Sequence, residues 1–489
     1  MGAVRQIGLI LSITVCLSLI FNMSANPDSP LAQDVPLRLS EPVDSVVADL
    51  KSYIPHRMNE GGVAGLAIAL IRNNEIVWTD GFGVANRLTD RPVSSKTVFE
   101  VASISKVVTA YTALRLVEEG KLSLDEPVHT YLKEPWLPPS VRADKITLRH
   151  LLSHCSGLTD DVVFKNREIV HEPGTRFLYS GLGAEYVREM IEEVSQKSLE
   201  EVAREKVFTP LGMSASSFLN ETSVMDYMAN GHMRYVVPFA AFLLPFAATT
   251  VVVGIIALIL NRLIKRGWRL TWRLRIGVFA SAFLLTEWLL YIFIGKPFPN
   301  LIWVTILCAL LFFVFQFLSY LLIQGMMSFL APLRQKRILK ATIATLWMVI
   351  SLLAFLKIAD SYSGPVPKNN SDEVSAIGSL RSTAPDLAIF LKELSNPQYL
   401  RKGIASQIDS AQININQDFS WGLGVGIQHS VQGDAIWQNA ITFAFRGIMV
   451  TYPREGHGVV VLTNSESGLP VVYDIAERAL GGKARWKYF

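Results

Sequence analysis

Ser103 and Lys106 are the pair of side chains in this sequence whose types and spacing are best suited to chemistry. The apolar residues Val107, Ala110 and Leu114 recur after them at three- and four-residue steps, which predicts a helix that starts at Ser103. Residues three apart lie on one face of a helix, so the lysine amine can reach the serine hydroxyl. A desolvated amine that loses its charge near neutral pH can take the hydroxyl proton while the oxygen attacks a carbonyl carbon.

The start of this helix would favour the same reaction. The N–H groups of a first helical turn have no partner within the helix, so they stabilise an oxyanion that forms near Ser103. A serine and a lysine three residues apart are also the pattern of an ordinary helix start with a surface lysine. The rest of the sequence decides between these two interpretations.

The composition indicates a membrane portion. Half of the 489 residues are hydrophobic and only 18% are charged, which is more apolar than an ordinary soluble protein. The net charge of +4 is small and does not support nucleic-acid binding. The cysteines Cys16, Cys155 and Cys308 suggest no disulfide framework, and no cluster of His, Cys, Asp and Glu has the spacing of metal ligands. We therefore expect no metal and no organic cofactor.

Several short segments predict the elements that must position the pair. Two β-rich runs over 63–71 and 75–82 are joined by the turn residues Arg72, Asn73 and Asn74, which predicts a β-hairpin. Later in the chain the patterns predict strands over 421–428, 435–440, 447–452 and 458–462, a helix over 379–395 and a C-terminal helix from Leu469. The sequence thus predicts a sheet built from both halves of the chain.

Residues 97–110, Thr-Val-Phe-Glu-Val-Ala-Ser-Ile-Ser-Lys-Val-Val-Thr-Ala, resemble the active-site segment of the serine β-lactamase and penicillin-binding-protein superfamily. The resemblance is to its class C β-lactamase, D,D-carboxypeptidase and esterase branch. Segments 151–158, 378–387, 445–453 and 458–464 match this branch in order, so the resemblance covers roughly residues 45–228 and 374–482.

The resemblance implies an α/β (α+β) fold in which an antiparallel sheet is flanked by helices and joined by a helical subdomain. We expect residues 40–228 to form the first part of this domain and residues 374–485 the second part. A transmembrane α-helical insertion would interrupt the two.

Tyr179, Ser180 and Gly181 stand where the family has its second motif, Tyr-x-Asn. The resemblance implies that Tyr179 works with Lys106 to pass a proton from the nucleophile to the leaving group. Gly181 replaces the asparagine that hydrogen-bonds the substrate amide and the lysine. This replacement would leave Lys106 with one fewer fixed partner.

The third motif of the family, Lys-Thr-Gly or His-x-Gly, falls on Gln438, Asn439 and Ala440. The resemblance implies that these residues bind substrate, although Gln438 cannot supply the positive charge that would hold a carboxylate. Main-chain donors survive side-chain changes, so the amides of Ser103 and Ile441 are expected to form the oxyanion hole.

Three other residues near these motifs have alternative interpretations. Arg446 could bring a compensating charge to the third motif, or it could be a structural residue. His154 could be read as a base, but the resemblance favours a structural histidine. Cys155 could be read as a thiol nucleophile beside His154, but adjacent residues point apart and Ser103 is the better nucleophile, which favours a packed cysteine.

Residues 236–260, 276–294, 301–323 and 341–358 are each close to the roughly 20 apolar residues that cross a bilayer as a helix. The loops after the first and third runs are rich in Lys and Arg, whereas the loop after the second is short. The positive-inside rule therefore places both basic loops in the cytoplasm. Four crossings return the chain to its starting side, where both halves of the hydrolase domain must meet.

Residues 1–25 have the layout of an export signal, with Arg5, an apolar run over 7–21 and Ala25 before a polar segment. Cleavage after Ala25 and an uncleaved N-terminal anchor both remain open. With either outcome the hydrolase domain is expected outside the cytoplasm of a multi-pass membrane protein, in contact with membrane lipid and not with nucleic acid.

The sequence predicts a membrane-anchored serine hydrolase that acts through an acyl-Ser103 intermediate on a small peptide of the D-Ala type, an ester or a β-lactam, with peptidoglycan as one source of substrate. The altered motifs favour a peptidase or esterase over an efficient β-lactamase. One alternative is a catalytically weakened receptor that binds a β-lactam or a cell-wall fragment and signals through the transmembrane helices. Another alternative is a transporter with an exported domain. Its only support in the sequence is Glu287, within the second apolar run.

Overall fold

The computed structural model describes residues 36–159, 167–234, 363–365, 373–482 and 484–488. The predicted export signal, Glu287 and the four predicted transmembrane helices lie outside these residues. Among the helices that are described, none combines the length and the apolar character needed to cross a bilayer.

A nine-stranded antiparallel sheet organises the described chain, in the order β3-β2-β1-β13-β12-β11-β10-β9-β8. Strand β1 of the first half pairs with β13 of the second half, so both halves contribute to one sheet. Two short pairs, β4 with β7 and β5 with β6, lie outside it. The strands are β1 Gly65–Arg72, β2 Glu75–Asn86, β3 Arg91–Pro92, β4 Phe99–Glu100, β5 His232–Arg234, β6 Ser363–Pro365, β7 Arg381–Ser382, β8 Ile413–Asn414, β9 Phe419–Trp421, β10 Gly426–Gln428, β11 Ala435–Ile441, β12 Arg446–Tyr452 and β13 His457–Thr463.

Helices cover both faces of this sheet. The first and last helices, α1 and α10, pack on one face, and α8 packs on the other, which also faces the helical part of the chain around α2 and α4. The α-helices are α1 Val43–Gly61, α2 Ile104–Glu118, α3 Leu148–Leu152, α4 Gly181–Ser195, α5 Leu199–Ala203, α6 Thr209–Leu211, α7 Thr222–Met225, α8 Ala384–Ser395, α9 Lys402–Ile408 and α10 Leu469–Leu480.

Strand β1 shows why the sheet needs helices on both faces. Its residues Leu66, Ile68 and Leu70 join the core under α1 and α10, and Ala67 and Ala69 join the core on the opposite face. Successive side chains of a strand point to opposite faces, so a continuous apolar run is stable only when both faces are covered.

The structure confirms the predicted hairpin of β1 and β2. Asn73 and Asn74 form its loop, with φ angles of 53° and 58°. Positive φ at both central residues is the geometry of a two-residue type I′ turn, which asparagine tolerates better than most residues. The hairpin extends beyond the predicted runs because β2 continues to Asn86.

The helix predicted over 379–395 begins later than expected, at Ala384. Arg381 and Ser382 instead form strand β7, which pairs with β4 just before Ser103. The Thr383 hydroxyl accepts a hydrogen bond from the Asp386 amide and caps the helix. The prediction was wrong here because a long-range strand pair overrides the local helical pattern.

The single strand predicted over 421–428 is in fact the hairpin of β9 and β10. The Gly422 amide donates to the Val425 carbonyl at 2.9 Å and closes the turn. Gly424 has a φ of 91°, and a Cβ there would lie 2.5 Å from the Cβ of Ala110 on α2. The glycines therefore fold this apolar run back on itself, close against the helix that carries Lys106.

The described residues that flank the segment 235–362 lie side by side. Strand β5, the last described element before it, pairs antiparallel with β6, the first described element after it, through Met233 opposite Gly364. The chain therefore leaves the domain and returns to it at neighbouring points.

Candidate active site

Ser103 lies at the start of α2, as the sequence predicts, and its side chain meets that of Lys106. The Lys106 Nζ lies 2.9 Å from the Ser103 Oγ. Lys106 is only 6% exposed, so its amine is largely withdrawn from bulk water. The residue before Ser103, Ala102, has a φ of 45°, a left-handed conformation in which a non-glycine residue is strained.

A second contact fixes the lysine from the other half of the chain. The Lys106 Nζ also donates to the Ile377 carbonyl at 3.0 Å. The carboxylate of Glu185 on α4 holds this turn, because it accepts from the Ser375 hydroxyl at 2.5 Å and from the Ile377 amide at 3.4 Å. Sequence motifs do not reveal this support, because a main-chain acceptor leaves no side-chain signature.

Tyr179 lies beside the lysine, just before α4. The Lys106 Nζ is 5.2 Å from the centre of the Tyr179 ring. The aromatic ring of Trp421 on β9 lies 5.6 Å away from that ring, centre to centre, and forms a wall that the sequence analysis did not identify. Ser180 caps α4 by accepting from the Gly183 amide at 2.9 Å. The cap fixes where the helix begins, and therefore where Tyr179 stands.

His154 supports Tyr179 from below. Its ring is 4.3 Å from the Tyr179 ring, centre to centre, and its Nδ1 accepts from the Ser180 amide at 3.1 Å. Burial, with a smaller contribution from the nearby charge of Lys106, lowers the pKa of His154 to about 3. His154 is therefore neutral, and its Nδ1 accepts a hydrogen bond from the main chain. Both properties support the structural interpretation of this residue.

The neighbouring Cys155 also fits the structural interpretation. Its side chain is 3% exposed and its Sγ lies 3.0 Å from the Ser153 hydroxyl. Burial raises the pKa of the thiol, which keeps it in the less nucleophilic protonated form.

Gln438 on β11 reaches Tyr179 from the sheet. Its Nε2 donates to the Tyr179 hydroxyl at 3.4 Å and to the Asn439 carbonyl at 3.1 Å. Gln438 is 4% exposed. The structure therefore gathers Ser103, Lys106, Tyr179 and Gln438 around one point, although they come from three separate parts of the chain.

The other two residues of the third motif contribute differently. The side chain of Asn439 lies near Tyr473 of α10, on the face of the sheet away from Lys106. Ala440 is 1% exposed and belongs to the core beside α2. Only the main chain of these two residues is therefore placed to meet a substrate. Gly181 is the first residue of α4 and is buried, with no side chain to offer.

The amide of Ile441 has the orientation that an oxyanion hole requires. The Thr442 amide donates across to the carbonyl of Phe445, the residue just before β12, at 3.1 Å. Main-chain groups alternate in direction along an antiparallel strand, so the Ile441 amide points to the opposite edge. Strand β10 has ended there, because its last pair with this part of β11 joins Gly426 to Trp437.

Arg446 serves its own hairpin and not the third motif. Its Nη1 donates to the carbonyls of Thr442 and Phe445, the latter at 2.8 Å. Burial lowers the pKa of Arg446, and Glu466 opposes that shift. The alternative in which Arg446 replaces the missing charge at Gln438 is therefore not favoured.

The assembled groups could carry out acyl transfer. Within the part of the chain that the structure describes, no three His, Cys, Asp or Glu residues are grouped as metal ligands. A hydroxyl, a buried amine that bonds it and a phenol beside that amine form a nucleophile with two proton-handling groups.

Comparison with known proteins identifies related sequences. A family model described as Beta-lactamase matches residues 50–483. A putative penicillin-binding protein PbpX of Bacillus subtilis is 32% identical over 200 residues, which cover 38% of this chain and 49% of that protein. Protein flp of Staphylococcus aureus strain MRSA252 is 24% identical over 201 residues, which cover 37% of this chain and 40% of that protein. The chain thus spans about half or less of the length of these relatives.

Solved structures share the fold. The octameric penicillin-binding protein homologue from Pyrococcus abyssi matches with a TM-score of 0.56 and 20% identity, over 90% of this chain and 79% of that chain. The D-alanine carboxypeptidase AmpC from Burkholderia cenocepacia matches with a TM-score of 0.54 and 14% identity, over 89% of this chain and 99% of that chain. Both confirm the antiparallel sheet with flanking helices that the sequence predicts.

Proposed function

The chain belongs to the Beta-lactamase family, and from this membership we propose that it is a serine hydrolase that acts through an acyl ester on Ser103. The contact of 2.9 Å between the Lys106 amine and the Ser103 hydroxyl is the observation that carries the proposal. An amine that is buried and bonded to a hydroxyl is a competent base for that hydroxyl.

In the first step the Ser103 oxygen forms a bond to the substrate carbonyl carbon while its proton passes to Lys106. The negative charge that develops on the carbonyl oxygen is stabilised by the amides of Ser103 and Ile441. The edge orientation of the Ile441 amide supports this role, because that donor is not directed at β12.

In the second step the bond to the leaving group breaks and the leaving group takes a proton. We assign that proton transfer to Tyr179, whose ring lies beside the Lys106 amine. Gln438 donates to the Tyr179 hydroxyl, and a donated hydrogen bond favours the phenolate form. Water then attacks the Ser103 ester, and the same groups handle its proton in reverse.

The substrate class that we propose is a small peptide of the D-Ala type, an ester or a β-lactam, with a peptidase or esterase favoured over an efficient β-lactamase. The preference rests on the neutral third motif, where Gln438 has replaced a cationic residue of the family. Gly181 adds to it, because a glycine cannot hydrogen-bond the side-chain amide of a penicillin.

We also propose that the hydrolase lies on the extracytoplasmic side of a membrane and is held there by the four apolar runs over 236–358. The pairing of β5 with β6 supports this arrangement. An even number of crossings brings the two ends of an insertion back to one side, and neighbouring ends are what such an insertion needs.

Labelling of the full-length protein with a fluorescent fluorophosphonate tests the proposed function. We expect stoichiometric labelling of the wild type, complete loss of labelling in Ser103→Ala and retention in Ser105→Ala. Ser105 is a matched control because its buried hydroxyl lies two residues away and accepts from the Leu380 amide. A wild type that is not labelled, or Ser103→Ala that still is, would overturn the proposal.

A second candidate function is a receptor that forms a lasting adduct and signals through the membrane segments. The contact that favours it joins Lys106 to the Ile377 carbonyl, because Ile377 closely follows the segment 235–362. A fluorescent penicillin separates the two candidates. Release of the hydrolysed label within minutes indicates an enzyme, and an adduct that persists for hours indicates a receptor.

A further inference from the structure

We infer that the substrate of this site carries no carboxylate beside the scissile bond and presents an apolar group to the end of β11. The inference rests on the proposed acyl transfer at Ser103 and names the class of molecule that undergoes it, an uncharged ester with an alkyl or aryl substituent.

The polar groups that β11 offers beside the nucleophile are neutral. Both N–H bonds of the Gln438 amide are used, one toward the Tyr179 hydroxyl and one toward the Asn439 carbonyl. The remaining polar atom of this side chain is the acceptor Oε1. An acceptor repels a carboxylate, and a carboxylate that loses water without gaining a cation is strongly disfavoured.

The guanidinium of Arg446, at the start of the neighbouring strand β12, is committed elsewhere. Arg446 donates to the carbonyls of Thr442 and Phe445 and so braces the loop between β11 and β12. If Arg446 turned toward a substrate, both carbonyls would lose this donor, and only the Phe445 carbonyl would keep another, the Thr442 amide. The guanidinium of Arg446 is therefore engaged within the hairpin of β11 and β12.

The end of β11 is apolar and open to solvent. Ile441 is 49% exposed and Phe443, two residues further on, is 63% exposed. Phe445 in the same loop instead packs edge-to-face on Phe99, with ring centres 6.3 Å apart, so the loop has an inner and an outer aromatic residue. We call Ile441 and Phe443 the apolar rim. It directly adjoins the amide assigned to the oxyanion hole.

The neutral strand and the apolar rim act in the same direction on substrate choice. Gln438 disfavours binding of a substrate with a carboxylate next to the ester. An alkyl chain that covers the apolar rim favours binding, because it removes apolar surface from water. Each methylene group that becomes covered is expected to improve kcat/KM by about fourfold. The preferred ester is therefore neutral and has a chain of several carbons.

Esters that share the p-nitrophenol leaving group test the inference. The neutral substrates are p-nitrophenyl acetate, butyrate and hexanoate. The charged substrate is the p-nitrophenyl hemiester of succinate, whose acyl group ends in a carboxylate. For the wild type we expect kcat/KM to rise from acetate to hexanoate and to be at least tenfold higher for butyrate than for the succinate ester. Gln438→Lys is expected to shift the second ratio at least tenfold toward the succinate ester.

The rim is tested by Phe443→Ala, which should lower the hexanoate to acetate ratio at least threefold. Val431→Ala is the matched control, because Val431 is an apolar residue that is 81% exposed in the loop between β10 and β11, and this variant should leave the ratio unchanged. Equal or faster hydrolysis of the succinate ester by a wild type whose Ser103 is labelled would overturn the inference while the proposed function stands. A wild type that neither cleaves these esters nor takes the fluorophosphonate label would remove the proposed function itself.

Discussion

The start of α2 and the end of β11 contribute to the same site in different ways. The helix start acts through side chains, because Ser103 and Lys106 are three residues apart and meet by local geometry alone. The strand end acts mainly through its main chain, because Asn439 faces away, Ala440 is buried and the Ile441 amide points to the open edge.

This difference explains which substitutions the site can accept. A side chain that takes part in proton transfer cannot be replaced without losing its chemistry. A backbone donor persists when the residue that carries it changes. We therefore expect Gln438 and Gly181 to alter what the site recognises and to leave the proposed bond-forming and bond-breaking groups in place.

The largest effect is expected from Lys106→Arg, which breaks the helix side of the comparison. Arginine keeps the positive charge but is not deprotonated in proteins, so it cannot act as a base. We expect kcat/KM for a neutral ester to fall by at least about 10³-fold, at the upper end of what proton-transfer groups contribute. Steady-state kinetics with thermal unfolding of each variant measure this loss.

Lys121→Arg is the control for that substitution. Lys121 lies just beyond the C-terminal end of the same helix and is ion-paired with Glu119 on the surface, so its replacement should leave the kinetics unchanged. Activity of Lys106→Arg within tenfold of the wild type would show that Lys106 is not the base.

The second-largest effect is expected from a substitution in the main chain at the end of β11. Ile441→Pro removes one amide hydrogen at a position where that amide is not directed at β12. Loss of one oxyanion-hole donor is expected to lower kcat by about 10²- to 10³-fold. Ile441→Ala keeps the amide, so its kcat for the acetate ester should remain within a few-fold of the wild type.

The two variants are compared by kcat and by the rate of fluorophosphonate labelling, with circular dichroism to verify the fold. If the proline and alanine variants lose activity equally, the side chain of Ile441 matters and its amide does not. That result would remove Ile441 from the oxyanion hole.

The same contrast decides how much of the molecule could be predicted from its sequence. Helix α2 and the hairpin at Asn73 and Asn74 follow from local signals, the apolar spacing and the turn residues. The late start of α8 could not be predicted, because it depends on the pairing of Arg381 with Glu100 far away in the chain.

The candidate site divides along similar lines. Its side chains Ser103, Lys106, Tyr179 and Gln438 could be located from motifs. The Ile377 carbonyl and the Glu185 carboxylate that hold the lysine could not, since their contacts arise only when distant segments pack together. A motif identifies residues that react, and it carries little information about the main-chain atoms that orient them.

The smallest effect on activity is expected from His154→Asn. His154 packs under Tyr179, which contacts both the start of α2 and the end of β11. His154 has a φ of 52°, and asparagine adopts that conformation readily while its side-chain oxygen can still accept from the Ser180 amide. The substitution removes a titratable group and keeps the local geometry. Activity at pH 7 should therefore stay close to that of the wild type.

The substitution should instead change how stability depends on pH. The pKa of His154 is about 3 in the folded protein and about 6.5 in an unfolded chain. Below pH 6.5 the unfolded state binds a proton that the folded state does not, so stability is lost as pH falls from about 6.5 toward 3. This single group is expected to cost about 2 kcal/mol between pH 7 and pH 5.

Urea unfolding of the wild type and of His154→Asn at several pH values between 4 and 7 measures that difference. The slope of the unfolding free energy against pH should be smaller for the variant by up to one proton, and the remaining slope belongs in part to His232, whose pKa burial lowers to about 4. Parallel slopes would mean that His154 is protonated in the folded protein. A charged imidazolium stacked beneath Tyr179 and near Lys106 would then contribute to the electrostatics of the site, and the neutral, structural role assigned to it here would be wrong.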